Sequence, residues 1–207
     1  MKKTISQATI DRLPLYFRTL RLVEEEDMQI ISSEELGRRL DITPEQIRKD
    51  LATFGQFGRK GIGYDVRDLK NKISNILGLQ NHWRLAIVGV GHLGGALANY
   101  GNFASLGFKV VALLDINSKI VGNVINGIKI DNSEHMKQVI KEKAVDIGVI
   151  TVPASEAQSV ADLLIAAGVK GIWNFAPIKL TVQSDIPLVN EDLSIGLSAL
   201  SYHMSQD

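Results

Sequence analysis

Residues 87–101, IVGVGHLGGALANYG, place three glycines directly after an apolar run. Gly89, Gly91 and Gly94 fit the pattern G-x-G-x-x-G, in which a tight turn brings backbone amides close to a pyrophosphate at the start of a helix. The strand-like segment RLAIV precedes the turn, and the helical pattern of LGGALANY follows it. A strand, a glycine turn and a helix in this order predict a Rossmann-type domain that binds a dinucleotide.

The next apolar segment, KVVALLD, ends in the acidic residue Asp115. A carboxylate at this strand end is placed to hydrogen-bond ribose hydroxyls and would repel a 2′-phosphate, which favours NADH and NAD⁺ over their phosphorylated counterparts. Because ligands of open α/β sheets bind beyond the carboxyl ends of the strands, the segments TVPASEAQ and NFAP are expected to close the site. The candidate contacts in these motifs are Gly89, Gly91, His92, Leu93, Gly94, Asp115, Thr151, Val152, Pro153, Asn174, Phe175 and Ala176.

This candidate site lacks an obvious catalytic group. A dehydrogenase needs an acid or base within reach of its substrate, and neither closing segment offers a proton donor or a nucleophile. His92 is the only histidine near the glycine turn, and we expect it beside the pyrophosphate or in solvent. The chain has no cysteine, so thiol nucleophiles and disulfides are excluded, and no metal site is expected. We therefore predict a protein that binds the dinucleotide and is not an enzyme.

The N-terminal part contains two helix starts separated by a short turn, in the segment SSEELGRRLDITPEQIRKDLATFG, residues 32–55. Ser32 or Ser33 can cap the first helix, and Thr43 followed by Pro44 supplies a cap and a favourable first residue for the second. This spacing predicts a helix-turn-helix, whose second helix enters the major groove of DNA.

The segment FGQFGRKGIGYDV, residues 54–66, follows this second helix and is called the wing below. Its four glycines around Arg59 and Lys60 predict a short, basic β-hairpin that is offered to phosphates or to the minor groove. A wing after a recognition helix indicates a winged helix-turn-helix. The candidate DNA contacts in the two segments are Thr43, Gln46, Arg48, Lys49, Arg59, Lys60, Gly61 and Tyr64.

The periodicity of apolar residues divides the chain into two parts. Helical spacing dominates up to about residue 80, whereas short apolar runs alternate with helical stretches from Arg84 onward, which predicts a doubly wound parallel sheet. We predict a winged helix-turn-helix domain over 1–80, a Rossmann domain over 81–192 and a terminal helix over 193–207. The apolar stripe of LSIGLSALSYHM could fold back on its own sheet or pack on a second subunit, and we favour the second subunit because helix-turn-helix proteins generally bind two-fold sites.

Composition agrees with a folded protein of this kind. Lys and Arg together number 23 and equal the 23 Asp and Glu, so a DNA-binding argument depends on where the charges lie and not on their sum. The sequence contains no signal peptide and no long apolar run, so we expect a cytoplasmic protein without a membrane partner.

With these motifs in place, the sequence resembles the Rex family of redox-sensing transcriptional repressors over nearly its whole length. The matching segments share the family's order and are RLPLYFR, ITPEQIRKDLATFGQFGRKGIGY, IVGVGHLGGALANY, LLDIN, TVPASEAQ, GIWNFAP and NEDLSIGLSALSY. Two departures are Trp173, where a leucine is common, and Gly101, where a proline is common.

The resemblance implies a homodimer with a swapped terminal helix that binds palindromic operators with TTGTG and CACAA half-sites. It further implies that NADH binding releases the DNA, while NAD⁺ competes for the same site without releasing it. By their positions in the family motifs, Arg12, Tyr100 and Asp192 are implied to form an inter-domain polar network that responds to the nicotinamide, so Tyr100 and Asp192 join the candidate cofactor contacts.

Two other functions fit part of the sequence. One is an NAD-dependent oxidoreductase with a helical N-terminal domain, and the other is a module that binds CoA or a nucleotide and assembles with a partner enzyme. Neither alternative gives a role to the basic residues of the second helix and the wing, namely Arg48, Lys49, Arg59 and Lys60.

Overall fold

The computed structural model describes residues 5–59, 61–182 and 186–205. Contacts between Cα atoms divide the chain into two compact units, residues 1–81 and residues 82–207. Each unit has its own secondary structure and its own sheet, so each is described by itself.

The first unit is mainly helical. Its helices are α1 (Gln7–Glu25), α2 (Ser33–Leu40), α3 (Pro44–Ala52) and α4 (Val66–Ile76), and a 3₁₀ turn covers Leu79–Asn81. Strands β1 (Ile30–Ile31) and β2 (Tyr64–Asp65) pair antiparallel. Ser32 caps α2 by accepting a hydrogen bond from the amide of Glu35 at 3.1 Å, and Thr43 caps α3 by accepting one from the amide of Gln46 at 3.3 Å.

Helices α2 and α3 meet at a short turn that depends on a glycine. A Cβ added at Gly37 would lie 2.4 Å from the carbonyl oxygen of Ile42, a distance that no side chain tolerates. Asp41, at the end of α2, adopts a left-handed conformation with φ of 54° and so reverses the chain direction. Leu36 on α2 and Ile47 on α3 are both fully buried. These contacts produce the predicted helix-turn-helix.

The second unit is a seven-stranded sheet with helices. Its described strands are β3 (Trp83–Val88), β4 (Phe108–Asp115), β5 (Val124–Ile125), β6 (Ile128–Asn132), β7 (Ile147–Ile150), β8 (Gly171–Asn174) and β9 (Leu188–Asn190). The helices are α5 (His92–Ala98), α6 (Asn102–Ser105), α7 (Met136–Glu142), α8 (Ala154–Ala167) and α9 (Leu193–Met204).

The strand order is β5-β6-β4-β3-β7-β8-β9, and every pair is parallel except β5 with β6. Alternate residues of β3 pack on opposite faces, since Ala86 and Val88 join one core cluster while Leu85 and Ile87 join the other. A parallel sheet that is buried on both faces explains the continuous apolar runs in the sequence. Strand β3 lies at the switch point of this order, with β4 on one side and β7 on the other, which is where such sheets bind ligands.

One feature differs from the sequence-based expectations, and another excludes one of two alternatives for α9. The antiparallel pair β5 and β6, joined at Asn126 and Gly127, was not predicted. Helix α9 forms as predicted, but all its residues are exposed, so the alternative in which its apolar stripe folds back on its own sheet is wrong. Among the described helices, none combines the length and the hydropathy that a membrane span requires.

Candidate functional site

The three glycines of the turn after β3 have different structural roles. Gly89 has a φ of +92°, and a Cβ there would lie 2.8 Å from the backbone of Thr151. A Cβ at Gly94 would lie 2.1 Å from the carbonyl oxygen of Gly89, so this glycine lets α5 pack closely on the turn. A Cβ at Gly91, at the start of α5, would meet no heavy atom of the described residues within 4 Å. The first and third glycines therefore shape the turn, and the second keeps its outer face open.

Asp115 ties the end of β4 to this turn. Its Oδ2 accepts a hydrogen bond from the amide of Val90 at 2.6 Å, and its Oδ1 accepts one from the amide of Asn117 at 2.8 Å. A carboxylate has about four acceptor positions, so these two bonds leave capacity for a ribose hydroxyl. Asp115, the residue predicted to bind the ribose, therefore also has a structural role, because it holds the glycine turn.

The end of β7 lies on the other side of the turn. The hydroxyl of Thr151 donates to the carbonyl oxygen of Gly89 at 2.6 Å, and Val152 lies against Gly89 as well. Pro153 is exposed and precedes α8. The amide of Phe175, in the NFAP segment, donates to the carbonyl oxygen of Ile150 at 2.9 Å, so the two predicted closing segments begin side by side.

Asn174 is fully buried and directed into the protein. Its Nδ2 lies 2.9 Å from Oδ1 of Asn190 and 3.0 Å from the carbonyl oxygen of Ile178, and its Oδ1 accepts from the amide of Ala176 at 3.0 Å. The side chain therefore orders the NFAP segment and the start of β9. The sequence predicts that Asn174 and Ala176 line the nucleotide site, but they are only 0% and 4% exposed, so Phe175 is the partly exposed residue of this segment.

A line of aromatic rings adjoins this segment. The ring centroids of Phe175 and Trp173 are 4.5 Å apart, those of Trp173 and Phe103 are 5.9 Å apart, and those of Phe103 and Tyr100 are 5.0 Å apart. The indole nitrogen of Trp173 donates to Oε1 of Glu191 at 3.3 Å. Tyr100, a predicted switch residue, is thereby connected through ring contacts to the NFAP segment.

The other two predicted switch residues have partners within their own units. Asp192 caps α9, because its Oδ1 accepts from the amide of Ser194 at 2.8 Å and from its hydroxyl at 2.6 Å, and these bonds lower the pKa of Asp192. Arg12, on α1, pairs with Asp50 on α3 at 2.5 Å. The network of Arg12, Tyr100 and Asp192 stays a prediction.

The candidate nucleic-acid interface is in the first unit. Lys49 on α3 is exposed, and Arg48 is half-exposed and pairs with Glu34 at 3.1 Å and with Glu45 at 2.8 Å. Surface pairs of this kind contribute about 0 to 1 kcal/mol, so a phosphate or a base can replace the carboxylates. Gln46 is partly buried, and its Nε2 donates to Oδ1 of Asp50 at 2.7 Å.

The wing forms a small hairpin next to these residues. The amide of Arg59 donates to the carbonyl oxygen of Gly63 at 3.0 Å, and Gly61 has a φ of +80° near the tip. Arg59 is exposed, while Lys60 lies outside the described residues. An open groove of about 510 Å³ separates the wing from α2 and α3 and is lined by residues that include Arg48 and Arg59.

Tyr64 does not fit its predicted role as a DNA contact. Its side chain is 8% exposed, and this burial raises the pKa of its hydroxyl. A Cβ at Gly58 would lie 2.7 Å from its ring, so the ring supports the base of the wing. The physical reason is its position in β2, where pairing with β1 directs it inward.

A buried polar cluster around Asp50 was missed by sequence reasoning. Its carboxylate is 1% exposed and accepts hydrogen bonds from Arg12, Tyr16, Thr9 and Gln46. Burial raises the pKa of Asp50, but the hydrogen bonds from Arg12, Tyr16 and Gln46 outweigh it and hold this pKa at about 2.

Within the described residues, no group of three or more histidine, cysteine or carboxylate side chains could hold a metal ion.

The two units together define a class of protein, namely a winged helix-turn-helix domain joined to a Rossmann-type nucleotide-binding domain. Family models agree with this division: the model "Putative DNA-binding protein N-terminus" matches residues 4–52, and the model "CoA binding domain" matches residues 80–178. A redox-sensing transcriptional repressor Rex from Syntrophobacter fumaroxidans is 47% identical over 202 residues, which cover 97% of this chain and 96% of the relative. The chain belongs to the Rex family of redox-sensing transcriptional repressors.

Solved structures agree with this assignment. The crystal structure of RSP, a Rex-family repressor, in complex with β-NAD⁺ and operator DNA matches with a TM-score of 0.94 and 40% identity, covering 99% of this chain and 94% of RSP. RSP in complex with β-NADH matches with a TM-score of 0.90 and 40% identity, covering 99% of this chain and 96% of RSP. The family resemblance and the fold class expected from the sequence are confirmed.

Proposed function

We propose that this chain is a DNA-binding repressor that responds to the ratio of NADH to NAD⁺. In this proposal it binds palindromic operators as a homodimer, and NADH releases it. The observation that carries the proposal is the nearly full-length match to RSP, whose solved complexes contain β-NAD⁺ with operator DNA in one case and β-NADH in another.

The residues around the glycine turn fit a dinucleotide. The open face at Gly91 accommodates a group that approaches the backbone closely, and the carboxylate of Asp115 has acceptor capacity for ribose hydroxyls. Thr151 and Val152 hold the turn from the side of β7, and the partly exposed Phe175 offers an apolar wall. When bound, the dinucleotide supplies a nicotinamide ring whose charge and shape differ between the oxidised and reduced forms.

The surface of the first unit fits DNA. Lys49 and Arg59 are exposed cations on α3 and on the wing, and Arg48 can exchange its surface carboxylates for a phosphate or a guanine edge. Thr43 begins the recognition helix and Gly61 lies near the wing tip, where backbone can approach the duplex. Because a repressor acts where its operator is, a cytoplasmic location follows from this function.

Helix α9 supports a homodimer. Its apolar side chains are 54–71% exposed, and burying them on a second copy would remove this surface from water. The exposed apolar residues are Leu193, Ile195, Leu197, Leu200, Tyr202 and Met204. Two-fold symmetry would also present two recognition helices to a palindromic site.

We propose a sensor and not an enzyme, because relatives that match nearly the whole chain are named as transcriptional repressors. The match of residues 80–178 to the CoA-binding model favours a second candidate, a domain that prefers CoA to NADH. The two candidates differ in the ligand that controls DNA binding.

The test is fluorescence anisotropy of a labelled duplex with TTGTG and CACAA half-sites at constant salt, because phosphate contacts make affinity strongly salt-dependent. Tight binding that NADH reverses at a much lower concentration than NAD⁺ supports the proposal, and a coupling of about 3 kcal/mol corresponds to a change of about 150-fold. Since coupling is reciprocal, DNA must weaken NADH binding by the same factor. Equal affinity with and without saturating NADH contradicts the proposal, and release by CoA alone supports the second candidate.

A further inference from the structure

The buried carboxylate of Asp50 connects the recognition helix α3 to helix α1. On the α1 side it accepts from Nε and Nη2 of Arg12 at 2.5 and 2.8 Å, from the hydroxyl of Tyr16 at 2.7 Å and from the hydroxyl of Thr9 at 3.2 Å. On the α3 side it accepts from Nε2 of Gln46, one turn earlier in the helix, at 2.7 Å. The DNA-reading helix therefore has one of its first-turn side chains fixed from inside the protein.

This contact sets the orientation of the Gln46 amide. An ionised carboxylate only accepts hydrogen bonds, so the nitrogen of the amide must face Asp50 and the oxygen must point away from it. Among the described residues, none donates a hydrogen bond to Oε1 of Gln46. The oxygen is therefore the end of the side chain that remains available to a ligand.

The residues of α1 keep Asp50 in the form that this orientation requires. Arg12 supplies the compensating positive charge, and the hydroxyls of Tyr16 and Thr9 satisfy further acceptor positions. The low pKa of Asp50, about 2, keeps the carboxylate ionised at neutral pH. A protonated carboxyl group could donate to an amide oxygen and so would allow the opposite orientation.

We propose that Asp50 is a positioning residue for base recognition: it fixes Gln46 so that its Oε1 accepts a hydrogen bond from an exocyclic amino group in the major groove. Adenine and cytosine carry such an amino group there, whereas guanine and thymine present an oxygen that would repel Oε1. Residues in the first turn of a recognition helix are the ones that contact base edges, and Gln46 is in that turn. The inference rests on the proposed function, because it requires operator DNA.

The test compares the base preferences of three proteins on the operator and on all its single base-pair substitutions, by anisotropy at constant salt. Gln46→Ala is expected to lose discrimination at one base pair of each half-site, by about 5- to 150-fold. Asp50→Asn is expected to lose discrimination at the same base pair, because an asparagine can pair with either end of the Gln46 amide. Ile73→Val, a loss of one buried methyl group on α4, is the control for lowered stability and is expected to keep the wild-type preferences.

A structural role alone predicts another result. If Asp50→Asn weakens binding equally on every duplex, or changes the preference at base pairs that Gln46→Ala leaves unchanged, the inference is overturned. If the wild-type protein shows no base preference on any duplex, the proposed function fails, and the inference fails with it. A wild-type preference together with unrelated profiles for the two variants overturns the inference alone.

A second measurement covers the case in which Asp50→Asn does not fold. Hydrogen exchange of the glutamine side-chain amides in the ¹⁵N-labelled wild-type protein compares Gln46 with the exposed Gln56, and Gln→Ala variants assign the two signals. The bond to Asp50 is expected to slow the exchange of Gln46 at least several-fold. Equal exchange of Gln46 and Gln56 overturns the inference without any use of DNA.

Discussion

Replacing Gly91 by alanine separates the nucleotide site from the stability of the fold. Gly91 has a φ of −75°, a negative value that an alanine also adopts, and its new Cβ would have no heavy atom of the described residues within 4 Å. The methyl group would instead occupy the open face of the turn. This is the surface on which the proposed dinucleotide must approach the backbone.

The expected magnitudes follow from these distances. Alanine is a poorer residue than glycine at a helix start, so we expect the free energy of unfolding to fall by about 0.5 to 1 kcal/mol. A methyl group forced into a fitted contact costs about 1 to 3 kcal/mol, which corresponds to a loss of NADH affinity of about 5- to 150-fold. In contrast, Gly94→Ala would place its Cβ 2.1 Å from a backbone oxygen and would disturb the turn itself.

The assay is titration of NADH into wild-type and variant protein by calorimetry, together with urea unfolding of each without ligand. Gly95→Ala is the matched control, because it adds the same methyl group to the same helix and its nearest contact is Cδ1 of Ile125 at 3.9 Å. We expect this control to bind NADH as the wild type does. Unchanged NADH affinity in a folded Gly91→Ala protein would refute the placement of the ligand on this face.

Three further predictions concern the first unit and the terminal helix. The pKa of Asp50, about 2, lies below the ordinary value near 4, so its ionisation contributes stability on the order of 2 kcal/mol that is present above pH 4 and is lost as the pH falls toward 2. Urea unfolding between pH 2 and 5 measures this loss, and an equal dependence on pH in Asp50→Asn would contradict it. Lys49→Ala is expected to weaken binding to all duplexes similarly and to lower the slope of log affinity against log salt concentration by about 1. A loss of affinity that depends on the DNA sequence would instead indicate that Lys49 contacts a base. Leu197→Glu places a charge on the exposed apolar stripe of α9, so we expect this variant to be a monomer where the wild type is a dimer. Light scattering measures the molar mass, and an unchanged dimer would show that α9 is not part of the interface.

Sequence patterns predicted the elements whose conformation is set by residues adjacent in the chain. Helix caps at Ser32 and Thr43 and the glycines at 89, 91 and 94 each impose a backbone conformation on their immediate neighbours, so their patterns predicted the helix-turn-helix and the turn after β3. The hairpin of β5 and β6 carried a local signal as well. Asn126 and Gly127, with φ of 49° and 75°, form a two-residue turn between apolar pairs, a combination that favours a hairpin.

Sequence patterns did not predict polar contacts between residues that are far apart in the chain. Asp50 looks like one more acidic residue on an amphipathic helix, and its burial depends on the packing of α1 against α3, which brings it to Arg12, 38 residues earlier. Asn174 resembles a ligand-facing amide in a loop motif, but it is buried because β8 pairs with β9 and places Asn190 beside it. Such polar pairings are set by tertiary structure, and periodicity does not report them.

The turn after β3 is already ordered by two side chains, Asp115 at the end of β4 and Thr151 directly after β7. Ordering the backbone of one residue costs about 1 to 2 kcal/mol of conformational entropy. In this turn the entropy is lost when the protein folds, before any ligand binds. A ligand therefore meets a preorganised surface, and its binding free energy is not reduced by loop ordering. For the proposed sensor, the speed of response to a changing nucleotide pool is then set by the arrival and departure of the ligand and not by a slow rearrangement of this turn.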